Sequence, residues 1–225
     1  MNVLLFGATG MVGQGVLREC LLDDRVTGVQ AVVRGPLEVS HPKLTSLVHT
    51  DFTDFSSLER EFADVDACFF CLGVTSAGKR EDEYRRITHD YTLAAARALP
   101  VRPDAPLTFV YVSGDGTDST EQGRLMWARV KGRTENELLA MDFHAYMFRP
   151  AYIHAVHGEV SRTPAYRRLY PVLSLLFPLL RRLAPGRVTT TENIARAMIA
   201  VAGRNGAGEH VLRSPEINRA ALEGR

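Results

Sequence analysis

Three glycines near the start of the chain restrict the possible folds more than any other feature. Gly7, Gly10 and Gly13 form a G-x-x-G-x-x-G pattern, which directly follows the apolar run 2–6 and begins a segment with helical spacing. Glycine at these points permits a tight turn, close approach of the backbone to a ligand, and close contact between helix and strand. The helix N-terminus directs unpaired N–H groups at a bound phosphate. The pattern therefore predicts a dinucleotide site.

Short apolar runs alternate with segments of helical spacing along the first 150 residues. The runs are 2–6, 28–34, 44–50, 66–73, 107–113 and 144–150. They are continuously apolar, as strands buried on both faces are, and repeated strand–helix–strand order indicates a parallel sheet. We predict an α/β protein with a Rossmann-type doubly wound parallel sheet, forming a single domain over residues 1–225. After Pro150 the pattern changes, which predicts a small C-terminal helical lobe formed mainly by residues 151–190.

The composition is that of an ordinary soluble domain and excludes several classes of partner. Hydrophobic residues make up 45% and charged residues 24% of the 225 residues, with a formal net charge of +1. No charge excess favours nucleic acid or an anionic membrane. The longest uncharged apolar run, 169–180, is too short to span a bilayer. Three cysteines, expected to be buried and reduced, and the absence of a targeting pattern predict a cytoplasmic location.

The end of the second apolar run indicates which dinucleotide is bound. NAD-binding proteins have an acidic residue there for the ribose 2′-hydroxyl, whereas this chain has Arg34, whose planar donors suit a 2′-phosphate. We therefore expect NADP (NADPH) and regard NAD as less favoured, although Arg34 could be a solvated loop residue. Asp51 could accept from the adenine amino group, or could instead form an N-cap or Asx turn. Further cofactor contacts are expected from Thr9, Met11, Val12 and Phe52.

Five segments occur together in an order that resembles a known family. They are FGATGMVG, ACFFCLGVTSAGK, YVSGDGTDS, ARVKGRTENEL and MFRPAYI. The chain resembles the atypical short-chain dehydrogenases/reductases of the epimerase/dehydratase-like group over roughly residues 1–200, most closely the branch that contains the Tat-interacting oxidoreductase. The resemblance implies an active site at the carboxyl ends of the fourth to sixth strands. It implies that Leu72, Gly73 and Val74 line the cofactor, and that Arg149, Pro150 and the residues after them, including Ile153, lie beside the nicotinamide.

The resemblance also identifies candidate catalytic positions. In that family a serine or threonine after the fifth strand and a Y-x-x-x-K pair carry the chemistry, which corresponds here to Ser113, Trp127 and Lys131. The spacing of four puts residues 127 and 131 on one helical face. An indole N–H donates a hydrogen bond but delivers no proton, so the tyrosine's role is not carried over to Trp127. The proton could come instead from Tyr84, Tyr91, Tyr152, His154 or a water near Lys131, or the site could be inactive.

Two functions of different class are compatible with the sequence. One is an NADPH-dependent reductase of a small or lipid-like carbonyl, and the other is a non-catalytic NADP-binding sensor or interaction protein. We interpret the apolar, arginine-flanked segment 166–186 as a roof over an apolar substrate, although it could contact a membrane surface or a second subunit of a homodimer. His154 and His157 have a spacing compatible with zinc, but they lie in a predicted loop, so no metal is expected. His89 is interpreted as structural or exposed.

Two local features are predicted near the C-terminus. Thr189 and Glu192 have the spacing of a capping box, with a buried helical stripe after them consisting of Ile194, Ala197, Met198 and Val201. Residues 220–225 are expected to be disordered.

Overall fold

The computed structural model describes residues 1–102, 104–160, 177 and 182–223. These described residues contain nine strands, in chain order β1 (Asn2–Phe6), β2 (Gly28–Val33), β3 (Leu44–Val48), β4 (Ala67–Phe70), β5 (Thr108–Val112), β6 (His144–Arg149), β7 (Tyr152–His154), β8 (Val188–Thr190) and β9 (Val211–Arg213). Seven of them form one sheet in the order β3-β2-β1-β4-β5-β6-β9, and every pairing within it is parallel. β7 and β8 form a separate parallel pair.

Helices cover both faces of the large sheet. They are α1 (Met11–Leu22), α2 (Glu59–Phe62), α3 (Glu81–Arg85), α4 (Tyr91–Arg97), α5 (Met126–Leu139), α6 (Thr191–Ala202) and α7 (Ser214–Ala220). A π-helical segment, Arg86–Asp90, joins α3 to α4. Because side chains alternate along a strand, Leu5 contributes to the apolar cluster shared with α1, α6 and α7, whereas Phe6 contributes to the cluster shared with α2, α4 and α5. The Rossmann-type doubly wound sheet is confirmed.

The six predicted strands of the first 150 residues are present, and most end earlier than their apolar runs. The largest difference is at β4, where the run 66–73 is strand only over Ala67–Phe70. Cys71 to Val74 leave the sheet and line a cavity. Apolar residues that face a cavity and apolar residues of a buried strand look alike in a sequence, which explains the difference.

The region from β7 to α6 departs from the prediction in two places. The pair β7–β8 was not predicted, because strands of three residues carry too little periodicity to be recognised. The cap of α6 is Thr190, which accepts from the backbone of Asn193, and not Thr189, which donates to Asn218. The four predicted stripe residues of α6 are all buried.

The predicted disorder of residues 220–225 is wrong for most of that stretch. α7 continues to Ala220, Ala221 is buried, and Glu223 forms an ion pair with Arg204. Residues 224 and 225 lie outside the described residues.

Most of the predicted roof segment, 166–176 and 178–181, lies outside the described residues. Phe177 is described, and its ring stacks on His154 with a centroid distance of 3.8 Å. Among the helices that the structure describes, none has the length and apolar character needed to cross a lipid bilayer.

Candidate cofactor and active site

The glycine turn has no space for a side chain at two of its positions, Gly7 and Gly13. Gly7 has φ +82°, and a Cβ there would lie 2.6 Å from the backbone nitrogen of Leu72. A Cβ at Gly13 would lie 2.0 Å from the carbonyl oxygen of Gly7. α1 therefore begins directly against the turn, and its N-cap residue, Gly10, has no side chain to cap the first N–H groups. Those groups are available to an anion, as a pyrophosphate site requires.

A cavity of about 460 Å³ lies beside this turn, at the carboxyl ends of β1, β2 and β4. Ten predicted cofactor residues line it: Gly7, Thr9, Gly10, Met11, Val12, Arg34, Phe52, Leu72, Gly73 and Val74. The cavity is also lined by seven residues that were not predicted as cofactor contacts: Ala8, Val32, Val33, Cys71, Arg86, Ile87 and Tyr91. None of these seventeen described lining residues is acidic.

Two of the predicted cofactor residues, Gly13 and Asp51, have structural roles. Gly13 is buried beneath the turn in α1. The Asp51 carboxylate accepts from the backbone N–H of Thr53 at 2.9 Å and from its hydroxyl, and these bonds lower the pKa of Asp51. The side chain therefore forms the Asx turn that was one of the two interpretations of this residue.

Three of the unpredicted lining residues come from one helical region. Tyr91, the first residue of α4, contacts Phe52 with ring centroids 5.8 Å apart. The guanidinium carbon of Arg86 lies 5.9 Å from the centroid of the Tyr91 ring. Arg86 and Ile87 begin the π-helical segment. The helical pattern of this region was recognised, but the wider turn changes which side chains face the cavity, and the sequence carries no signal for it.

The predicted catalytic serine is occupied by internal contacts. Ser113 is 6% exposed, and its hydroxyl lies within hydrogen-bond distance of the Glu135 carboxylate and, at 3.1 Å, of the carbonyl oxygen of Phe148. A hydroxyl has one proton, and both neighbours are acceptors. The Ser113 proton is therefore held inside the protein.

Glu135 is the centre of a buried polar network that was not predicted. Its side chain, 0% exposed, forms an ion pair with Arg149, which is 8% exposed. The Arg149 Nε donates to the two carboxylate oxygens at 3.1 and 3.0 Å, and another nitrogen of its guanidinium donates to the Ser119 hydroxyl at 2.6 Å. Arg149 thus connects β6 to α5 instead of projecting freely beside the site.

The loop Gly114–Gly116 is surrounded by three predicted site residues, Lys131, Trp127 and Pro150. The Lys131 ammonium donates to the carbonyl oxygen of Ser113. It lies 3.8 Å from the point that a Cβ would occupy if Gly114 had a side chain. The indole ring of Trp127 lies 3.3 Å from the point that a Cβ would occupy at Gly116. The Pro150 carbonyl accepts from the backbone of Asp115 at 2.9 Å. The structure thus brings these three predicted residues to one loop at the carboxyl end of β5.

Asp115, in the middle of this loop, was not predicted as a site residue. Its carboxylate lies 3.8 Å from an Arg213 guanidinium nitrogen and 4.0 Å from one of Arg187. These arginines are distant in sequence, so no local spacing could reveal the cluster.

Burial lowers the pKa of Lys131 to about 8, and the nearby negative charge of Glu135 opposes this effect.

The other proposed proton sources lie in different surroundings. Tyr84 is 2% exposed, and burial raises its pKa. Tyr91 lines the cavity, whereas Tyr152 and His154 belong to β7, as does Ile153, which contacts the apolar cluster on the α1 side of the sheet. Burial lowers the pKa of His154, an effect that Glu159 opposes.

Structural contacts account for His89, His157 and the three cysteines. His89 is buried and bonds to Asp90 at 2.7 Å and Glu137 at 3.0 Å, which confirms its structural interpretation. His157 lies 3.1 Å from Glu192. In the described ranges, no three His, Cys, Asp or Glu side chains are grouped as a metal site would need. Cys20, Cys68 and Cys71 are free, and burial raises the pKa of all three thiols.

A seven-stranded parallel sheet with a glycine turn and a cavity at its carboxyl edge defines a dinucleotide-binding Rossmann protein. Comparison with protein families gives the same class. The NAD(P)H-binding family pattern matches residues 7–154, about two thirds of the chain, and the protein belongs to this family.

Relatives with curated names occur among fungal mitochondrial proteins. The chain is 28% identical over 177 residues to protein fmp52, mitochondrial, of Emericella nidulans, covering 75% of this chain and 74% of that protein. It is 30% identical over 165 residues to protein fmp52-1, mitochondrial, of Aspergillus terreus, covering 70% and 69%. The names of these relatives contradict the cytoplasmic location predicted from the sequence.

Solved structures share the fold at low sequence identity. A short-chain dehydrogenase/reductase family oxidoreductase from Burkholderia thailandensis matches with a TM-score of 0.68 and 16% identity, over 95% of this chain and 90% of that one. UDP-glucuronic acid 4-epimerase from Bacillus cereus, in complex with NAD, matches with a TM-score of 0.66 and 13% identity, over 95% and 76%. The resemblance to NAD(P)-binding, atypical short-chain dehydrogenases/reductases is confirmed at the level of fold and family.

Proposed function

We propose that this protein binds NADP(H) and acts as a reductase of a small or lipid-like carbonyl. The observation that carries the proposal is the cavity beside the glycine turn, where a Cβ at Gly7 or Gly13 would collide with backbone. A close-fitting, uncapped helix N-terminus suits the cofactor pyrophosphate. The apolar part of the cavity, including Val32 and Phe52, suits the adenosine.

The charges around the cavity support NADP(H) over NAD(H). The lining residues that the structure describes include arginines and no carboxylate, so the usual acceptor for a free ribose 2′-hydroxyl is missing. Arg34, exposed at the end of β2, supplies donors for a 2′-phosphate instead.

Residues around the loop Gly114–Gly116 would face the reacting end of the cofactor. A bound nicotinamide would supply hydride to a carbonyl carbon. In the proposal Lys131 holds the nicotinamide ribose, Pro150 and Ile153 border the ring, and Ser113 shapes the loop through Glu135. Trp127 cannot supply the proton, because an indole N–H is not an acid at accessible pH; in the proposal a water near Lys131 protonates the alkoxide oxygen.

The substrate class depends on the C-terminal lobe. We propose that the lobe of residues 151–190, in a single domain of residues 1–225, covers the loop Gly114–Gly116 and provides an apolar surface for the carbonyl compound. Phe177, whose ring stacks on His154, is one of the apolar residues of this lobe that the structure describes.

A second function is favoured by a specific observation. The hydroxyl of Ser113 is engaged by Glu135, and the position that needs an acid holds Trp127. Both would be expected of a non-catalytic NADP(H)-binding sensor or interaction protein.

Binding and turnover measurements separate these functions. We expect calorimetry to show tighter binding of NADPH than NADH, with the preference weakened in Arg34→Ala. Reduction of a panel of aliphatic and aromatic aldehydes by the wild type would support the reductase. Turnover seen only in Trp127→Tyr would support the binder, because a restored general acid contributes about 10²–10⁴-fold. Failure of the wild type to bind any of NADPH, NADP, NADH or NAD would refute both functions.

A further inference from the structure

Two arginines line the same cavity from different parts of the fold. Arg34 follows β2, and Arg86 begins the π-helical segment between α3 and α4. Both side chains are exposed, and neither has an acidic partner within 4.0 Å among the residues the structure describes. By contrast, Arg85 next to Arg86 faces Asp90 at 3.9 Å. The cavity therefore has two uncompensated positive charges.

The local structure of Arg86 holds its guanidinium near the cavity without neutralising it. The group lies over the ring of Tyr91, which in turn contacts Phe52. Stacking on an aromatic face supports an arginine through cation–π attraction and leaves its N–H donors unused in their own plane. Arg86 and Ile87 begin the π-helical segment, Tyr91 directly follows it, and all three line the cavity. π turns shift the faces of a helix and often occur at functional sites.

We propose that Arg86 is a second specificity-determining residue for the cofactor, which together with Arg34 binds the 2′-phosphate of NADP(H). This inference rests on the proposed function. A phosphate dianion has three oxygens, enough for two guanidinium groups that approach from β2 and from the π-helical segment. The cavity lining that the structure describes contains no carboxylate. Two unpaired arginines there would bind a 2′-phosphate strongly and would add little binding energy for a 2′-hydroxyl.

The test compares two probes that differ only in the 2′-phosphate. Adenosine 2′,5′-bisphosphate and adenosine 5′-monophosphate are titrated by calorimetry into the wild type, Arg34→Ala, Arg86→Ala and the double variant. Loss of a charge-assisted hydrogen bond predicts a weakening of the bisphosphate by roughly ten- to a hundredfold in each single variant. Binding of the monophosphate should change less than about threefold. Arg86→Glu, which repels the phosphate, should lower bisphosphate affinity further, and Arg85→Ala is the matched control that should behave as wild type.

Several results would overturn the inference. Equal weakening of both probes in Arg86→Ala would mean that Arg86 contacts the adenine or ribose and does not read the 2′-phosphate. Unchanged bisphosphate binding in Arg86→Ala and Arg86→Glu would remove Arg86 from the site. A wild type that prefers the bisphosphate through Arg34 alone would leave the proposed function intact, whereas a wild type that binds neither probe nor any dinucleotide would refute the proposed function itself.

Discussion

Lys131 carries a charge that its surroundings make unfavourable. Burial lowers its pKa to about 8, and Glu135 only partly offsets this effect. The pKa of an unfolded lysine is about 10.4, so between about pH 8 and pH 10.4 the unfolded chain binds more protons at this residue. Stability contributed by this group therefore rises with pH in that window, and the destabilising effect is complete below about pH 8.

This reasoning predicts a pH-dependent difference between the wild type and Lys131→Met. The variant lacks the buried charge, so its free energy of unfolding relative to the wild type should fall by about 1–2 kcal/mol between pH 7 and pH 9.5. Urea unfolding of both proteins at the two pH values measures the difference. A relative stability that does not change with pH would mean that Lys131 titrates as a solvated lysine.

At the scale of elements, the Glu135–Arg149 pair fixes α5 against β6. α5 carries Trp127 and Lys131, and β6 leads into Pro150, so the pair sets how these predicted site residues face each other. Two buried charges with several hydrogen bonds position their elements strongly, even where their net contribution to stability is small.

Removing one partner of this pair should be far more harmful than removing both. Glu135→Leu leaves Arg149 buried and unpaired, which predicts a loss of about 3–5 kcal/mol in the free energy of unfolding. The double variant Glu135→Leu, Arg149→Met should recover most of that loss. Arg133→Ala, which breaks the exposed pair with Glu137 on the same helix, should cost less than about 1 kcal/mol. Denaturant unfolding of the wild type, Glu135→Leu, Arg149→Met and the double variant gives the coupling energy, and additive losses would show that the charges do not depend on each other.

For the whole molecule, cofactor binding should stabilise the native state. The proposed site joins the first turn of the chain to residues after β2, β3 and β4 and to α4, so unfolding any of these removes it. At 100 times Kd a ligand adds about 2.7 kcal/mol to the free energy of unfolding. For a chain of this size we expect NADPH to raise Tm by roughly 5–10 °C.

The comparison ligand in this experiment is NADH at the same concentration. The rise in Tm with NADH should be smaller than the rise with NADPH, and the difference between the two should narrow once Arg34 is replaced by alanine. Equal rises for the two cofactors in the wild type would argue against the NADP(H) assignment while leaving an NAD(P)-binding protein.

Local sequence information was enough to predict the order of the main strands and helices, the glycine turn and the part of the cavity lining that this turn forms. These features depend on information within a few neighbouring residues. Continuous apolar runs report strands buried on both faces, and the closeness of Gly13 to Gly7 follows from the local steric demands of a strand–turn–helix. For the same reason Arg34 could be recognised from its position after the second strand.

Contacts between side chains that are distant in sequence depend on how whole elements pack together. Glu135 binds Ser113 and Arg149 because α5 packs on the neighbouring strands β5 and β6. Asp115 meets Arg187 and Arg213 because the fold brings together three parts of the chain that are far apart in sequence. Arg86 reaches the cavity through a π turn that leaves no mark in the pattern of apolar residues. Side-chain periodicity reports the face of an element, whereas the partner of a buried polar group is set by packing between elements.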